Sequence, residues 1–350
     1  MIDTDAANNT EYFRLHPNCK IVKGAKYSAI YDLQRRNLVR FPTEYYEILK
    51  DAQFPPGISA ALFEASAICT EEMLKQTLKR LESLGLGMFC KEEFSNSIRP
   101  IEENFGKASN IINSIIDFKD VVIDWKKIVS ALKAERCRAL QIRSFSDMLS
   151  QEEVLEILDF TQKSSIVHVE LIIKWDERWK NIEWSSFFQK YRNLLSVIIH
   201  TSPYNNNISG DELINLADRF VRYQTKPILS ESNCGNIKEG NMMMPTHTIF
   251  SELQEFQGCL NKKVSVRSDG EICNCPAMKS SFGQDYSNLS KVIKSEEFQE
   301  VWHLGNSKIE ECKVCEFRLV CTGCRAFLNS DLDLSKPSRC NYNPATGKWV

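Results

Sequence analysis

Seven cysteines near the C-terminal end of this chain follow an order suited to holding metal. Cys259 is followed by ten residues, Gly270, four residues and Cys275. After a long gap come Cys312, Cys315, Cys321 and Cys324, and Cys340 closes the set. Thiolates bind zinc and are the usual ligands of iron–sulfur clusters. Cys312–Cys315 and Cys321–Cys324 are two Cys-x2-Cys pairs only five residues apart, whereas a zinc ribbon separates its pairs by roughly 15–20. Four such cysteines could still bind one zinc, but three more thiols in a defined order suit two separate clusters better. Lys313 and Arg325, each next to a cysteine, supply positive charge that offsets thiolate charge. The four remaining N-terminal cysteines, Cys19, Cys69, Cys90 and Cys137, are scattered and read as small buried hydrophobes.

The elements that must position these thiols form a third region, residues 234–350. Val264–Arg267 and Glu271–Ile272 flank Ser268-Asp269-Gly270, a hairpin signal that sets Cys259 before its first strand and Cys273 and Cys275 after its turn. Glu296–Trp302 reads as a short helix. A second region, 109–232, alternates apolar runs with helical patterns: Ile111–Ile116 before a helix from Ile123 to Ala134, Ala139–Ile142 before one opening at Ser150, and Val167–Ile173 before Trp184–Asn193, with Leu195–Ile199 next. Ser150 and Glu153 form a capping box, each satisfying a backbone donor at the helix start. Such alternation implies parallel strands in an α/β architecture, with too few units for a full eight-fold barrel, hence a partial (β/α) barrel.

The first region, 12–100, reads as a winged-helix-like module. Lys20–Val22 and Tyr27–Leu33 flank Gly24 as a hairpin, Asn37–Phe41 adds a strand, and Thr43 is placed to cap a helix over Glu44–Asp51. A second helix follows Thr70, with Met73, Leu74, Leu78, Leu81 and Leu84 on one face, and Met88–Cys90 returns as a strand. Net charge is −2, which gives no ground for nucleic-acid binding. The opening Met1–Thr10 lacks the basic and apolar segments of a signal peptide, and no run reaches the ~20 apolar residues of a membrane span. The expectation is a cytoplasmic chain with reduced thiols and no membrane partner.

The cysteine order resembles the SPASM domain, the auxiliary-cluster extension of radical S-adenosylmethionine enzymes that modify ribosomal peptides. The usual pattern has three residues between the last two cysteines of the tight run; here there are two, Thr322 and Gly323. Cys259-Leu-Asn-Lys-Lys263, Asn274-Cys-Pro-Ala-Met278, Cys315-Glu-Phe-Arg318 and Cys324-Arg-Ala-Phe327, with Val22–Ala25 and Tyr31–Arg35 near the start, are similar to the SPASM-containing maturases of grasp-with-spasm peptide cassettes. The resemblance implies two interleaved 4Fe-4S clusters. One takes Cys312, Cys315, Cys321 and Cys340; the other takes Cys259, Cys275 and Cys324, with Cys273 or Cys234 as fourth. It also implies a precursor peptide and an ATP-grasp ligase as partners.

A radical enzyme of this kind needs three further cysteines after its first barrel strand. The corresponding stretch here is Asp117-Phe118-Lys119-Asp120, so neither S-adenosylmethionine binding nor adenosyl-radical chemistry is expected, and no catalytic residue is assigned. The leading expectation is therefore a peptide-maturation component rather than a radical enzyme. The first region would capture a leader peptide as an added strand at its hairpin, through Lys20, Ile21, Val22, Tyr27, Ile30 and Leu33. The alternatives are an iron–sulfur oxidoreductase acting on a peptide and a zinc-stabilised interaction protein. His200, at a strand end, reads as a hydrogen-bonded structural residue, and Met242–Met244 as core packing.

Overall fold

The computed structural model describes residues 10–65, 69–102, 104–106, 109–209, 218–329 and 334–350. Residues 1–9, most of the polar opening, lie outside them.

The N-terminal region builds two small sheets. Strand β1 (Glu11–Leu15) pairs antiparallel with a strand formed much later in the region, while β2 (Cys19–Val22), β3 (Tyr27–Asp32) and β4 (Asn37–Pro42) form an antiparallel sheet in that order. Gly24 sits in the β2–β3 turn, where a Cβ would meet the Tyr27 carbonyl oxygen at 2.0 Å. The expected cap at Thr43 does not form: the helical stretch from Thr43 to Gln53 begins without a side-chain cap, and the Thr43 hydroxyl donates to the Gly24 carbonyl at 3.0 Å. Tertiary pairing with the hairpin turn outcompetes the local capping bond. Helix α1 (Glu71–Ser83) does open on its predicted cap, the Thr70 hydroxyl accepting from the Met73 amide at 3.2 Å. It buries Leu74, Leu78 and Leu81 but leaves Met73 and Leu84 exposed. Strand β5 (Gly87–Lys91) is the one that returns to β1.

The centre of the molecule is an eight-stranded, mostly parallel sheet. It is built from β6 (Asn113–Phe118), β7 (Ala139–Ser144), β8 (His168–Lys174), β9 (Leu194–His200), β10 (Asn206–Ser209), β11 (Phe220–Tyr223), β12 (Lys263–Val266) and β13 (Ile272–Cys273), in the order β10-β11-β9-β8-β7-β6-β12-β13. All internal pairings are parallel; only the outermost strands, β10 and β13, run against their neighbours. Helices α2 (Trp125–Ala134), α3 (Gln151–Thr161) and α4 (Trp184–Lys190) follow the first three strands, and the Ser150–Glu153 capping box is formed. Their Ile128, Leu132, Val154, Leu158 and Phe188 pack on Ile116, Ile142, Leu171 and Val197, which the register aligns on one sheet face. Alternation of side chains puts Asp117, Gln141, Arg143, Glu170, Ser196, His200 and Lys263 on the other, giving the sheet one apolar and one polar face. The β12–β13 hairpin turns at Gly270 (φ +87°) as its Asp-Gly signal implies. Its pairing with β6, however, carries the central sheet across the 232/234 boundary drawn from sequence.

The third region supplies one edge of this sheet and covers the N-terminal one. Helix α5 (His247–Glu255), the stretch Phe317–Val320 and the closing pair β14 (Tyr342–Asn343) and β15 (Lys348–Trp349) form a core with Val22, Ala29, Tyr31 and Leu33. The Ala25 amide donates to the Val314 carbonyl at 2.8 Å and the Lys26 amide to Pro344 at 3.1 Å. No helix among the described residues is long and apolar enough to cross a membrane.

Candidate metal centre

All thirteen cysteines are free thiols. Cys19, Cys69 and Cys137 are buried singly in the N-terminal and central parts, and burial pushes the Cys19 and Cys137 thiols up to about 12, as expected of small apolar residues. Cys90, on β5, is half-buried.

Eight of the nine candidate cysteines sort into two groups in space. Cys312, Cys315, Cys321 and Cys340 line one cavity of about 30 Å³, together with Ile237, Met242 and Phe317. The loop that carries three of them has little regular structure, so side chains from elsewhere hold its shape. Asn306, 4% exposed, donates from its amide nitrogen to the carbonyls of Arg318 and Cys321, both at 2.9 Å. Gly323 adopts φ +56°, and a Cβ there would lie 1.9 Å from the Asn306 Oδ1. Cys340 reaches the cavity because Ile237 bridges to it and the Ile237 amide donates to Arg339. Burial is the main cause that raises Cys315, and that raises Cys312 to about 11 and Cys321 to about 12, with neighbouring thiols adding to it. Such thiols stay protonated alone and lose the proton on metal binding.

The second group comprises Cys234, Cys259, Cys275 and Cys324. Cys275 lies within electrostatic reach of Cys259 and Cys234, and so does Cys324. Gly235 (φ +84°) brings the backbone beside Cys324, where an added Cβ would stand 3.3 Å from its sulfur. Burial raises Cys275 to about 11 and raises Cys324, while the buried Lys263 draws Cys275 the other way. Cys273, the other candidate for a fourth position, is fully buried on β13 and its thiol donates to the Ser265 carbonyl at 3.7 Å. Cys273 is also within electrostatic reach of Cys275 and Lys263, whereas Cys234 is within reach of both Cys275 and Cys324. Cys273 is held in the β12–β13 ladder opposite Ser265, on the face that carries Lys263, while Cys275 lies just beyond the ladder.

Gln257, 1% exposed, joins the two groups and carried no signal in the sequence. Its amide nitrogen donates to the carbonyls of Thr322 and Gly323, and its oxygen accepts from the amides of Cys259 (2.8 Å) and Leu260 (2.6 Å). One side chain therefore sets the Cys259 turn against the loop between Cys321 and Cys324. A lone glutamine between apolar residues has no spacing rule that would have marked it.

Among the described residues, no group of three or more His, Cys, Asp or Glu side chains is closed up around a point for a single metal ion. The donor chemistry fits iron–sulfur ligation nonetheless: two sets of four thiols, mostly half-buried, one set lining a cavity and the other beside a buried ammonium.

The residues assigned to peptide capture lie elsewhere. Ile21, Val22, Ile30 and Leu33 are buried in the two cores that sandwich the β2–β4 sheet, and Tyr27 stacks under Arg40 at 4.3 Å. Lys20 donates to the Ile101 carbonyl. The outward amides of β2 are already bonded, Ile21 to the Gln53 side chain at 2.7 Å and Cys19 to the His16 carbonyl at 2.8 Å. Register makes β4 the other edge, with Leu38 and Arg40 directing their backbone groups away from β3.

Of the remaining candidates, His200 is buried and hydrogen-bonded to Ser144 and Thr201, in keeping with a structural role. Met242 and Met243 pack on the docking core, and Met244 is exposed. No protein-family model matches this chain, and no curated protein matches it either.

Proposed function

We propose that this protein is a component of ribosomal peptide maturation that binds a precursor peptide and acts beside an ATP-grasp ligase. In this reading it is a SPASM-like scaffold carrying two iron–sulfur clusters without adenosyl-radical chemistry. The observation that carries the reading is the sorting of eight cysteines into two interleaved sets, with neighbours Cys321 and Cys324 going to different ones. Cys312, Cys315, Cys321 and Cys340 would hold one cluster, and Cys234, Cys259, Cys275 and Cys324 the other. Bound clusters supply rigid crosslinks between distant loops and one-electron redox capacity. The chain's own residues do the rest. Gln257 and Asn306 hold the loop, and Asp117 at the end of β6 is tied to Arg143 where a radical enzyme's first cluster loop would begin.

The winged-helix-like N-terminal module is the proposed peptide receptor. Because the outward amides of β2 are bonded, the added strand is assigned to the β4 edge, where the Arg40 backbone is available for a ladder. The module's docking on Val314 and Pro344 then sets the bound peptide beside the cysteine-rich region.

Anaerobic purification tests the cluster part. A brown protein with several irons per chain and broad visible absorbance supports it; a colourless protein with one or two zincs overturns it in favour of a zinc-stabilised interaction protein. Titration of the full chain with the leader of an adjacent precursor gene tests the rest, with slowed hydrogen exchange at Arg40 as the expected signature. Peptide turnover without the ligase would favour an iron–sulfur oxidoreductase instead.

A further inference from the structure

Lys263 opens β12 opposite Asn113, on the polar face of the sheet. It is 6% exposed. Its ammonium stands 3.8 Å from the Cys259 sulfur, and Cys275 and Cys234 lie within its electrostatic reach. Among the described residues no carboxylate forms an ion pair with it. Asp117 is in reach, but both its oxygens accept from Arg143, at 2.6 Å each. A buried ammonium without a counter-ion costs several kcal/mol. A set of metal-bound thiolates is the counter-ion that this position lacks.

The two cysteine groups differ in this respect. Around Cys312 and Cys315 charges of both signs occur, Arg325 and Lys336 against Glu311 and Glu316. Beside Cys275 the strongest charge is the Lys263 cation, within reach of Arg143 as well.

We infer that Lys263 sets the reduction potential of the centre held by Cys234, Cys259, Cys275 and Cys324, through its fixed charge and an N–H···S hydrogen bond to Cys259. The inference rests on the cluster reading above. Reduction adds one electron and so one negative charge to the centre, and a cation held against a ligand sulfur stabilises that state more than the oxidised one. Hydrogen bonds to ligand sulfurs and local charge are among the levers that set cluster potentials. Lys263 does not ligate; it acts on the centre through Cys259.

The test is a dithionite titration of the full-length, cluster-loaded protein followed by electron paramagnetic resonance. In Lys263→Met, one of the two potentials should fall by at least about 59 mV, a tenfold shift of a one-electron equilibrium, and the other should hold. Lys263→Arg should keep the wild-type value. On a Cys275→Ala background, the surviving centre should ignore the substitution. If both potentials stay put in Lys263→Met, the role of Lys263 is overturned while the clusters stand; if both fall, the effect is global and the assignment is equally overturned. Should Lys263→Met be recovered without iron, Lys263→Gln and Lys263→Arg decide. Retention of iron by the charged variant alone supports the charge requirement, and loss or retention in both refutes it. A wild-type protein with no iron at all would instead remove the cluster reading itself.

Discussion

Arg40, on the edge strand β4, meets the Glu316 carboxylate at 2.9 Å, next to Cys315 in sequence. Glu316 is wholly buried and also accepts from the Tyr342 hydroxyl, while the Tyr31 hydroxyl donates to its backbone carbonyl. This polar knot ties the N-terminal sheet to the cysteine loop. Arg40→Met strands a buried carboxylate, at a cost of about 3–5 kcal/mol for a broken buried pair. Faster hydrogen exchange across β3 is the expected readout. Arg40→Met with Glu316→Gln should recover most of the loss, because the neutral amide needs no counter-ion.

Gly323 is the tightest point of the loop between Cys321 and Cys324. An alanine there drives its Cβ into Asn306 and takes up a left-handed φ that L side chains rarely adopt. On the proposed cluster reading, Gly323→Ala should therefore lower iron content in both centres, measured as iron per chain. Gly240→Ala, where an added Cβ meets nothing within 4 Å, should match wild type.

Gln257→Leu should uncouple the Cys259 turn from the Thr322–Gly323 backbone. The Thr322 carbonyl and the Cys259 amide lose this partner, at about 1–3 kcal/mol for each group left unsatisfied, while the Gly323 carbonyl keeps Arg325 and the Leu260 amide keeps the Gln257 carbonyl. Lower melting temperature with reduced iron retention under a chelator is expected, and Gln257→Glu should not rescue it, since a carboxylate cannot donate to the two carbonyls.

Asp117 and Arg143 form a two-pronged pair on the polar face of the central sheet, 0% and 6% exposed. Asp117→Ala leaves the guanidinium uncompensated and should cost about 3–5 kcal/mol in urea unfolding. Replacing both, as Asp117→Leu with Arg143→Met, should be far milder than either alone.

The pH dependence should carry a histidine signature. The Ser144 carbonyl can only accept, so His200 Nε2 bears the hydrogen across 2.9 Å, and Nδ1 accepts from the Thr201 hydroxyl at 3.0 Å. Burial lowers the His200 pKa, opposed by the Ser144 bond. The folded protein therefore binds this proton more weakly than the unfolded chain. Its stability contribution is complete above the unfolded value of about 6.5 and is lost as pH falls below it toward the folded pKa. His200→Gln should melt with less change than wild type between about pH 7.5 and about pH 5.5.

What could be read from the sequence was local. The Ser150–Glu153 box, the Thr70 cap, the Asp269-Gly270 hairpin and the apolar runs of β6 to β9 each carry their signal within a few residues. What could not be read was non-local. Thr43 looked like a cap and instead bonds Gly24; β1 waits for β5; and Val264–Val266 pairs with β6 as well as with its own hairpin partner, so that the hairpin extends the central sheet. Gln257 shows the same limit at the candidate site, since its role comes from four backbone groups that only the folded chain brings together. Cys234 and Cys273 were equivalent by spacing; the fold sets both within electrostatic reach of Cys275, and sets Cys234 near Cys324 as well.

The docking of the first sheet on the last segments also sets a schedule for synthesis. Ala29, Tyr31 and Leu33 leave the ribosome early, yet Phe317, Val320, Tyr342 and Trp349 that cover them follow about 300 residues later. At about 5–20 residues per second the interval is roughly 15–60 s. Phe250 and Leu253 arrive before Phe317, so in this interval the nascent chain presents an apolar sheet face that is at most partly covered, and a premature stop between Leu33 and Phe317 releases a product that exposes part of this face.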